Sequence, residues 1–387
     1  MSRLAYLALL AAAAVACKDA VTPPPAPPAL PPPPPPPNHA PVAVVGGPYQ
    51  SDSSTIVFDG SASSDSDGDA LTFAWQFGDG GTSTEVKPSH SYATDGDFNV
   101  SLTVTDSKGL ASSASATTAH IAPPAPVLVG AGNIATCGSN NDQATAALVD
   151  ALPNATVFTL GDNVFPKSTP ETYAQCYEPA WGRFLNRTRP TLGNHEYEGD
   201  PNATFDYFGD RAGPRGLGYY SYELGSWHII VLNDHGGSSI DADQMTWLAA
   251  DLAANTKQCT IAMWHVPLFL SSHTPGWTMN PDHGPIWDML YNAGADIVLN
   301  GQQHTYERFA PMSPAGAVDS TRGIRQFSVG TGGESVDNTF SEIHSNSEVR
   351  AGVFGVLKLT LKRTGYDWQF IPVNGSSFTD SGSGSCH

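Results

Sequence analysis

The chain has 387 residues, of which 40% are hydrophobic and 14% are charged, so it can bury the cores of two or three domains. Its 18 basic and 37 acidic side chains give a net charge of -19, which repels nucleic acid and anionic membrane surfaces. Neither is therefore an expected partner. Phosphorylated molecules are repelled as well, so phosphate binding would require a local positive centre such as a metal ion.

The N-terminal residues have the pattern of an export signal. Arg3 precedes a short apolar run over residues 4–15, which is too short to span a bilayer. The run ends in small residues before Cys17 and resembles a bacterial lipoprotein cleavage site. It predicts a signal peptide over residues 1–17 and a protein held in the cell envelope, with membrane contact only through a lipid on Cys17. The alternative is ordinary cleavage, which would leave Cys17 as a spare thiol in a secreted protein.

Four cysteines remain after Cys17, and an even number in an exported protein predicts two disulfides. Four cysteines allow three pairings. We favour Cys137–Cys176, which would join two loops near the proposed site, and Cys259–Cys386, which would fix the C-terminal tail.

Residues 18–39 form a proline-rich linker that includes seven consecutive prolines from Pro31. Such a run adopts the stiff polyproline II conformation, and residues 22–37 would reach roughly 50 Å. The linker is therefore predicted to be a spacer.

Residues 40–122 have the pattern of an all-β domain, with short strands over residues 55–58, 71–77 and 98–104. Turns rich in Gly, Asp and Ser separate these strands, as in a sandwich. The segment resembles a PKD domain, most clearly in the Trp-Gln-Phe-Gly-Asp-Gly motif of residues 75–80. The resemblance implies an immunoglobulin-like sandwich that acts as a spacer or contacts a surface or matrix. The acidic loop over residues 65–69 is interpreted as a solvated turn rather than a calcium site.

Residues 126–387 have apolar runs that end in polar loops, with helical patterns between them. Buried strands with functional loops at their carboxyl ends produce this pattern, so a layered α/β domain is predicted. The predicted strands cover residues 127–129, 157–160, 229–232, 260–264 and 297–299, and the helices cover residues 143–152, 242–254 and 286–293.

Four strand-like segments in this domain end in candidate metal ligands. Residues 157–160 lead to Asp162, residues 191–192 to the Gly-Asn-His-Glu run that starts at Gly193, residues 263–264 to His265, and residues 298–300 to His304. A bridging carboxylate with His and Asn ligands suits two ions of intermediate hardness. Two adjacent ions can clamp a phosphate and activate a water for in-line attack.

This ordered series resembles the calcineurin-like metallophosphoesterases, and most closely their purple acid phosphatase branch. The resemblance implies an αββα domain over residues 126–387, a phosphoester substrate, and one or two divalent or trivalent ions of Fe, Mn or Zn. It also implies that Asp162 bridges both ions. His304 would then bind at position 1, and Asn194 and His265 at position 2.

Two histidines receive catalytic roles from the same resemblance. His195 would contact the substrate and help to protonate the leaving oxygen. His273, eight residues after His265, would face the phosphate. The alternative for His273 is an exposed loop histidine.

Three residues depart from the expected ligand set. Asn133 stands where position 1 normally has an aspartate, Phe165 where it has a tyrosine, and Gln302 where position 2 has a histidine. Asn133 and Gln302 are neutral, weak ligands and Phe165 cannot coordinate, so weakened metal binding and no purple colour are predicted.

The sequence therefore predicts an exported phosphoesterase, similar to acid phosphatases, that hydrolyses phosphomonoesters. The alternative is a surface binding protein built on an impaired phosphatase fold. A third interpretation is adhesion through the β domain.

Overall fold

The computed structural model describes residues 31–237, 240–272 and 280–387. Residues 40–122, all of which are described, fold into two small β-sheets. The strands are β1 (Tyr49–Ser51), β2 (Thr55–Val57), β3 (Leu71–Gln76), β4 (Thr82–Ser83), β5 (Ser89–Ser91), β6 (Gly96–Asp106) and β7 (Ser115–Ile121). One sheet has the order β1-β7-β6-β3-β4, and β2 pairs with β5 in the other.

The strand predicted over residues 98–104 lies within β6, and Val100, Leu102 and Val104 are all fully buried on one face of it. They pack in the same core as Trp75 and Phe77. The indole N–H of Trp75 donates to the carbonyl of Glu85 at 3.0 Å, so this buried polar group is satisfied. The tryptophan motif is thus part of the sandwich core.

The second domain contains two larger sheets and a small ribbon. Its strands are β8 (Val127–Ala131), β9 (Ala135–Thr136), β10 (Thr156–Thr159), β11 (Val164–Phe165), β12 (Thr188–Arg189), β13 (Tyr220–Leu224), β14 (Trp227–Val231), β15 (Cys259–Met263), β16 (Ile297–Asn300), β17 (Tyr306–Phe309), β18 (Arg325–Val329), β19 (Ser347–Ala351), β20 (Gly355–Lys362), β21 (Gly365–Pro372) and β22 (Asp380–Ser385). The sheet orders are β12-β10-β8-β20-β21-β22 and β13-β14-β15-β16-β18-β17-β19, and β9 pairs with β11.

Helices connect and cover these strands. They are α1 (Asn141–Asp150), α2 (Pro170–Thr172), α3 (Asn194–Glu198), α4 (Pro201–Phe208), α5 (Ala242–Ala254) and α6 (Gly284–Asn292). Among the helices in the described part of the chain, none has the length and apolar run that crossing a membrane requires.

The second sheet is buried on both faces, which produces the layered architecture predicted from the sequence. Ile229 and Val231 of β14 belong to the core between the two sheets, whereas Ile230 faces the core that α5 and α6 cover. On the other side of the domain, α1 packs against β20 of the first sheet. The layers therefore follow the order helix, sheet, sheet, helix.

Parallel strands bring the candidate ligands to one edge of this double layer. β8, β10 and β12 are parallel neighbours, and so are β14, β15, β16 and β18. Carboxyl ends of parallel strands lie at the same edge of a sheet. The loops that follow β8, β10, β12, β15, β16 and β18 therefore approach one another.

One predicted strand is displaced along the chain, beyond the shifts of one or two residues seen at other strand ends. Residues 191–192 were expected to form a strand, but β12 contains Thr188 and Arg189 and ends before Pro190. Proline has no N–H to donate to a ladder, so it stops regular pairing at this point. The backbone N–H of Thr191 still donates to the carbonyl of Thr159 at 3.1 Å, which keeps the chain beside β10.

The structure contains both disulfides that the sequence favoured. Cys137 and Cys176 have Cα atoms 4.7 Å apart, and Cys259 and Cys386 have Cα atoms 5.3 Å apart. Cys259 begins β15 in the second sheet, while Cys386 directly follows β22 in the first. This bond therefore ties the two sheets together.

Candidate metal centre

Asp162 lies in the loop after β10 and is almost completely buried. The carboxylate of buried Glu196 accepts the backbone N–H groups of Asp162 and Gly193, at 2.9 and 2.6 Å. Burial raises the pKa of Glu196 to about 7, and the negative charge of Asp162 adds to the rise. Glu196 thereby joins the loop after β10 to the loop after β12, and both of these loops carry candidate ligands.

Three candidate ligand atoms converge here, one each from Asp162, Asn194 and His265. Its Oδ2 lies 3.2 Å from Nε2 of His265, and Oδ1 of Asn194 lies 3.1 Å from the same nitrogen. Nδ1 of His265 donates to the carbonyl of Leu160 at 2.6 Å, so Nε2 faces the two oxygens. Burial lowers the pKa of His265, but the charge of Asp162 outweighs this and raises it to about 9. The cluster therefore stabilises a positive charge, which a proton or a metal ion can supply.

His195 lies at the solvent side of this cluster, with a side chain that is 25% exposed. Its backbone N–H donates to Oδ1 of Asp162 at 2.9 Å, and its Nδ1 donates to the carbonyl of Pro166 at 2.6 Å. The remaining ring nitrogen, Nε2, lies 3.9 Å from Oδ2 of Asp162. The imidazole is therefore fixed with Nε2 facing the cluster.

His304 is held by two neighbouring side chains. Its Nδ1 lies 2.9 Å from Oε2 of Glu334 and 2.6 Å from Oγ of Ser335. The Ser335 hydroxyl donates to Glu334, so both oxygens accept from the ring N–H and Nε2 keeps its lone pair. The hydrogen bond with His304 holds the pKa of Glu334 below its usual value.

Asn133 is fully buried beside the loop that carries His304. Its Nδ2 donates to the carbonyls of Gly301 and Gln302, at 3.1 and 3.4 Å. Because carbonyls only accept, the amide nitrogen must face them. Oδ1 has no hydrogen-bond partner within residues 31–237, 240–272 and 280–387, so it is available to a cation.

Phe165 and Gln302 contribute no charged ligand. The Phe165 ring packs on His195 and His304, with centroid distances of 4.3 and 6.2 Å. Gln302 is half-buried, and its backbone N–H donates to the carbonyl of His265 at 3.1 Å. Phe165 therefore fills space between two imidazoles where the family pattern has a phenol.

The structure brings most of the predicted site residues to one edge of the double sheet, namely Asn133, Asp162, Asn194, His195, His265, Gln302 and His304. His273 and Cys17 lie outside the described residues. Sequence reasoning missed Glu334, although it follows β18 at the same edge. Glu334 could have been found from its place in the sequence, because it lies five residues after β18, which is parallel to β16.

Two facing sheets with carboxylate, amide and imidazole groups at their carboxyl edge define the fold class of the metallophosphoesterases. Family models agree with this assignment: a PKD domain matches residues 38–121 and a calcineurin-like phosphoesterase matches residues 120–306. The chain is a PKD domain followed by a calcineurin-like metallophosphoesterase domain.

Similar curated proteins are purple acid phosphatases of Arabidopsis thaliana. Purple acid phosphatase 21 is 30% identical over 230 residues, which cover 51% of this chain and 51% of that protein. Purple acid phosphatase 15 is 32% identical over 163 residues, which cover 36% of this chain and 30% of that protein. The chain thus matches about half or less of the length of these relatives.

Solved structures share the fold at low sequence identity. Purple acid phosphatase PPD1 from yellow lupin has a TM-score of 0.55 and 16% identity, covering 90% of this chain and 74% of its own. GAP50 of Plasmodium, described as the anchor in the inner membrane complex, has a TM-score of 0.53 and 11% identity, covering 68% of this chain and 89% of its own. At these identities the likeness concerns the fold alone.

Proposed function

We propose that this protein is an exported, metal-dependent phosphoesterase that hydrolyses phosphomonoesters. The observation that supports it is the convergence of Asp162, Asn194 and His265. Ligand atoms about 2.1 Å from one ion lie about 3.0–3.4 Å from each other. The separations of 3.2 and 3.1 Å fit that range, so position 2 suits an ion of the Fe, Mn or Zn type.

Position 1 is the weaker of the two, with Asn133 in place of a carboxylate. It would be formed by Asp162, Oδ1 of Asn133 and Nε2 of His304. When bound, the ions would polarise a phosphate oxygen and lower the pKa of a water.

His195 has the geometry of a group that handles the leaving oxygen. The carbonyl of Pro166 holds Nδ1–H, so Nε2 is the atom that faces a substrate, and it would donate a proton to the leaving oxygen when the ring is protonated. A positioned imidazole of this kind contributes about 10²–10⁴-fold to proton transfer in the transition state. The ring is partly exposed to solvent, so a substrate that enters from solvent could contact it.

The test combines metal analysis of the purified full-length protein with turnover of p-nitrophenyl phosphate after addition of Fe, Mn or Zn. We expect at least one ion per chain and metal-dependent turnover. Asp162→Asn should reduce metal affinity and turnover by more than about 100-fold, because it removes the carboxylate that the two positions would share. Asp97→Asn, which alters an exposed carboxylate of the PKD domain, is the matched control and should leave both unchanged.

A surface binding protein built on an impaired phosphatase fold is the second candidate. It is favoured by Asn133, whose amide is engaged by two carbonyls, and by Phe165, which packs where a ligand is expected. In this alternative the PKD domain would contact a surface or matrix. Metal binding without turnover of any tested phosphoester would support it and contradict the enzyme.

A further inference from the structure

The carboxylate of Glu334 lies beside His304 of position 1, where this chain has Asn133 in place of the aspartate of the family pattern. Its Oε2 is 2.9 Å from Nδ1 of His304, and its backbone N–H donates to the carbonyl of Asn133 at 3.0 Å. Glu334 therefore contacts both residues that belong to position 1 alone. Its side chain is 25% exposed, so its charge is partly shielded from water.

A close approach of two loops makes this contact possible. The backbone N–H of Gly332 donates to the carbonyl of Gly132 at 2.9 Å. A Cβ at Gly332 would lie 2.6 Å from that carbonyl oxygen, so only glycine permits the approach. The loop after β18 is thereby held against the loop after β8, and Glu334 is directed to His304.

The hydrogen bonding defines which ring nitrogen of His304 is free. Glu334 and Ser335 both accept from Nδ1–H, so Nε2 carries the lone pair. A carboxylate on the far nitrogen raises the basicity of a ligating imidazole and fixes its orientation. It also adds a negative charge near a position whose expected aspartate is Asn133.

We propose that Glu334 is a positioning residue that orients His304 toward an ion at position 1 and replaces the negative charge absent from Asn133. The inference rests on the proposed metal-binding function. It predicts that metal affinity at position 1 depends on Glu334, whereas affinity at position 2 does not.

The experiment titrates Mn²⁺ into the full-length protein by calorimetry. An Asn194→Ala background, which weakens position 2, assigns the binding event at position 1. Glu334→Gln should weaken that event by about 10- to 100-fold and leave position 2 within about twofold. Glu171→Gln removes the same charge from an exposed residue of α2 and should change neither event.

Rescue separates this role from a purely structural one. Asn133→Asp restores a carboxylate to position 1 from the other side, so it should recover most of the affinity lost in Glu334→Gln. Asn133→Asp would not repair a structural defect caused by Glu334→Gln. Thermal unfolding of each variant shows whether the protein is folded. Failure of the rescue in a folded protein would overturn the inference.

Other outcomes distinguish the inference from the proposed function. Equal affinities in the wild type and in Glu334→Gln would overturn the inference, and so would a wild type that binds an ion at position 2 alone; in both cases the phosphoesterase would stand. A third outcome is a protein that binds two ions, with an affinity at position 1 that depends on Glu334, but hydrolyses no phosphoester. That outcome would overturn the proposed enzyme and support the inference. Absence of metal binding would overturn both.

Discussion

Asn133 suits its backbone conformation as well as its place in the site. Its φ of +55° lies in the left-handed region, where asparagine is among the better tolerated residues. An aspartate here would lose the hydrogen bonds to Gly301 and Gln302 and would face their carbonyl oxygens. The loss of such hydrogen bonds by a buried group lowers the free energy of unfolding by about 1–3 kcal/mol. A restored carboxylate therefore has opposite effects in the absence and in the presence of a metal ion.

We predict that Asn133→Asp combined with Gln302→His raises metal occupancy toward two ions per chain. The change restores a charge to position 1 and an imidazole to position 2. Phosphatase turnover should rise at least about tenfold, or about 1.4 kcal/mol of barrier. The metal-free variant should be less stable than wild type in urea unfolding, and excess Mn²⁺ should reverse that order.

The conservative swap Asn133→Gln is the control, since it keeps the amide and should give no gain. A repaired chain that fills with metal but stays inert would argue against a cryptic phosphatase. If the wild-type protein binds two ions and already has high phosphatase turnover, the weakening effect of the amide ligands on metal binding was overestimated.

At the scale of elements, strand ends were the most predictable feature of the domain. Candidate ligands directly after buried runs, such as Asp162 and His265, could be placed at one edge because a parallel sheet brings those strand ends together. The strand expected at residues 191–192 was misplaced, since β12 contains Thr188 and Arg189 and ends before Pro190. The pattern of apolar residues does not show where a strand stops pairing with its neighbour, as β12 does before Pro190.

Glu334 shows what local pattern could not supply. It lies in a turn after β18, with no periodicity to mark its side chain. Its contact with His304 is set by the Gly332–Gly132 approach, which joins loops 200 residues apart. Long-range contacts of this kind follow from the packing of both sheets and not from the nearby sequence.

His228 links three elements through charge and gives a pH prediction. It lies on β14, with Nδ1 2.9 Å from Glu223 of β13 and Nε2 2.7 Å from Asp251 of α5. Burial lowers the pKa of His228, but the hydrogen bonds with Asp251 and Glu223 outweigh it and raise the pKa above 6.5. Its stabilising effect is therefore complete below pH 6.5 and is lost as the pH rises through the folded-state pKa.

Urea unfolding between pH 5.5 and pH 9 tests this. His228→Gln should lower the unfolding free energy by about 2 kcal/mol at the acidic end, as expected for buried hydrogen bonds to a charged group. The difference in unfolding free energy between His228→Gln and wild type should become smaller toward pH 9. His120→Gln, at a more exposed pair with Asp97, should have little effect at any pH. A difference that is constant across the range would show that His228 is not charged in the native state.

At the scale of the whole molecule, the two disulfides should contribute unequally to stability. The Cys259–Cys386 loop spans 127 residues and the Cys137–Cys176 loop spans 39. Each should contribute about 2–5 kcal/mol, and chain entropy favours the longer loop by about 1 kcal/mol. Paired serine substitutions with urea unfolding would measure both. Peptide mapping that finds free thiols at these cysteines in the purified protein would contradict the prediction.

The final prediction concerns where the molecule is held. If Cys17 is lipidated, the folded domains would be attached to the membrane through the N-terminal segment. The full-length protein should then appear in the membrane fraction of cells, and Cys17→Ser should release it into the soluble exported fraction. A single acyl chain binds membranes only marginally, so firm retention also requires more than one chain on the N-terminal cysteine. Mass spectrometry of the mature N-terminus checks this directly, and an N-terminal peptide of unmodified mass would exclude the anchor.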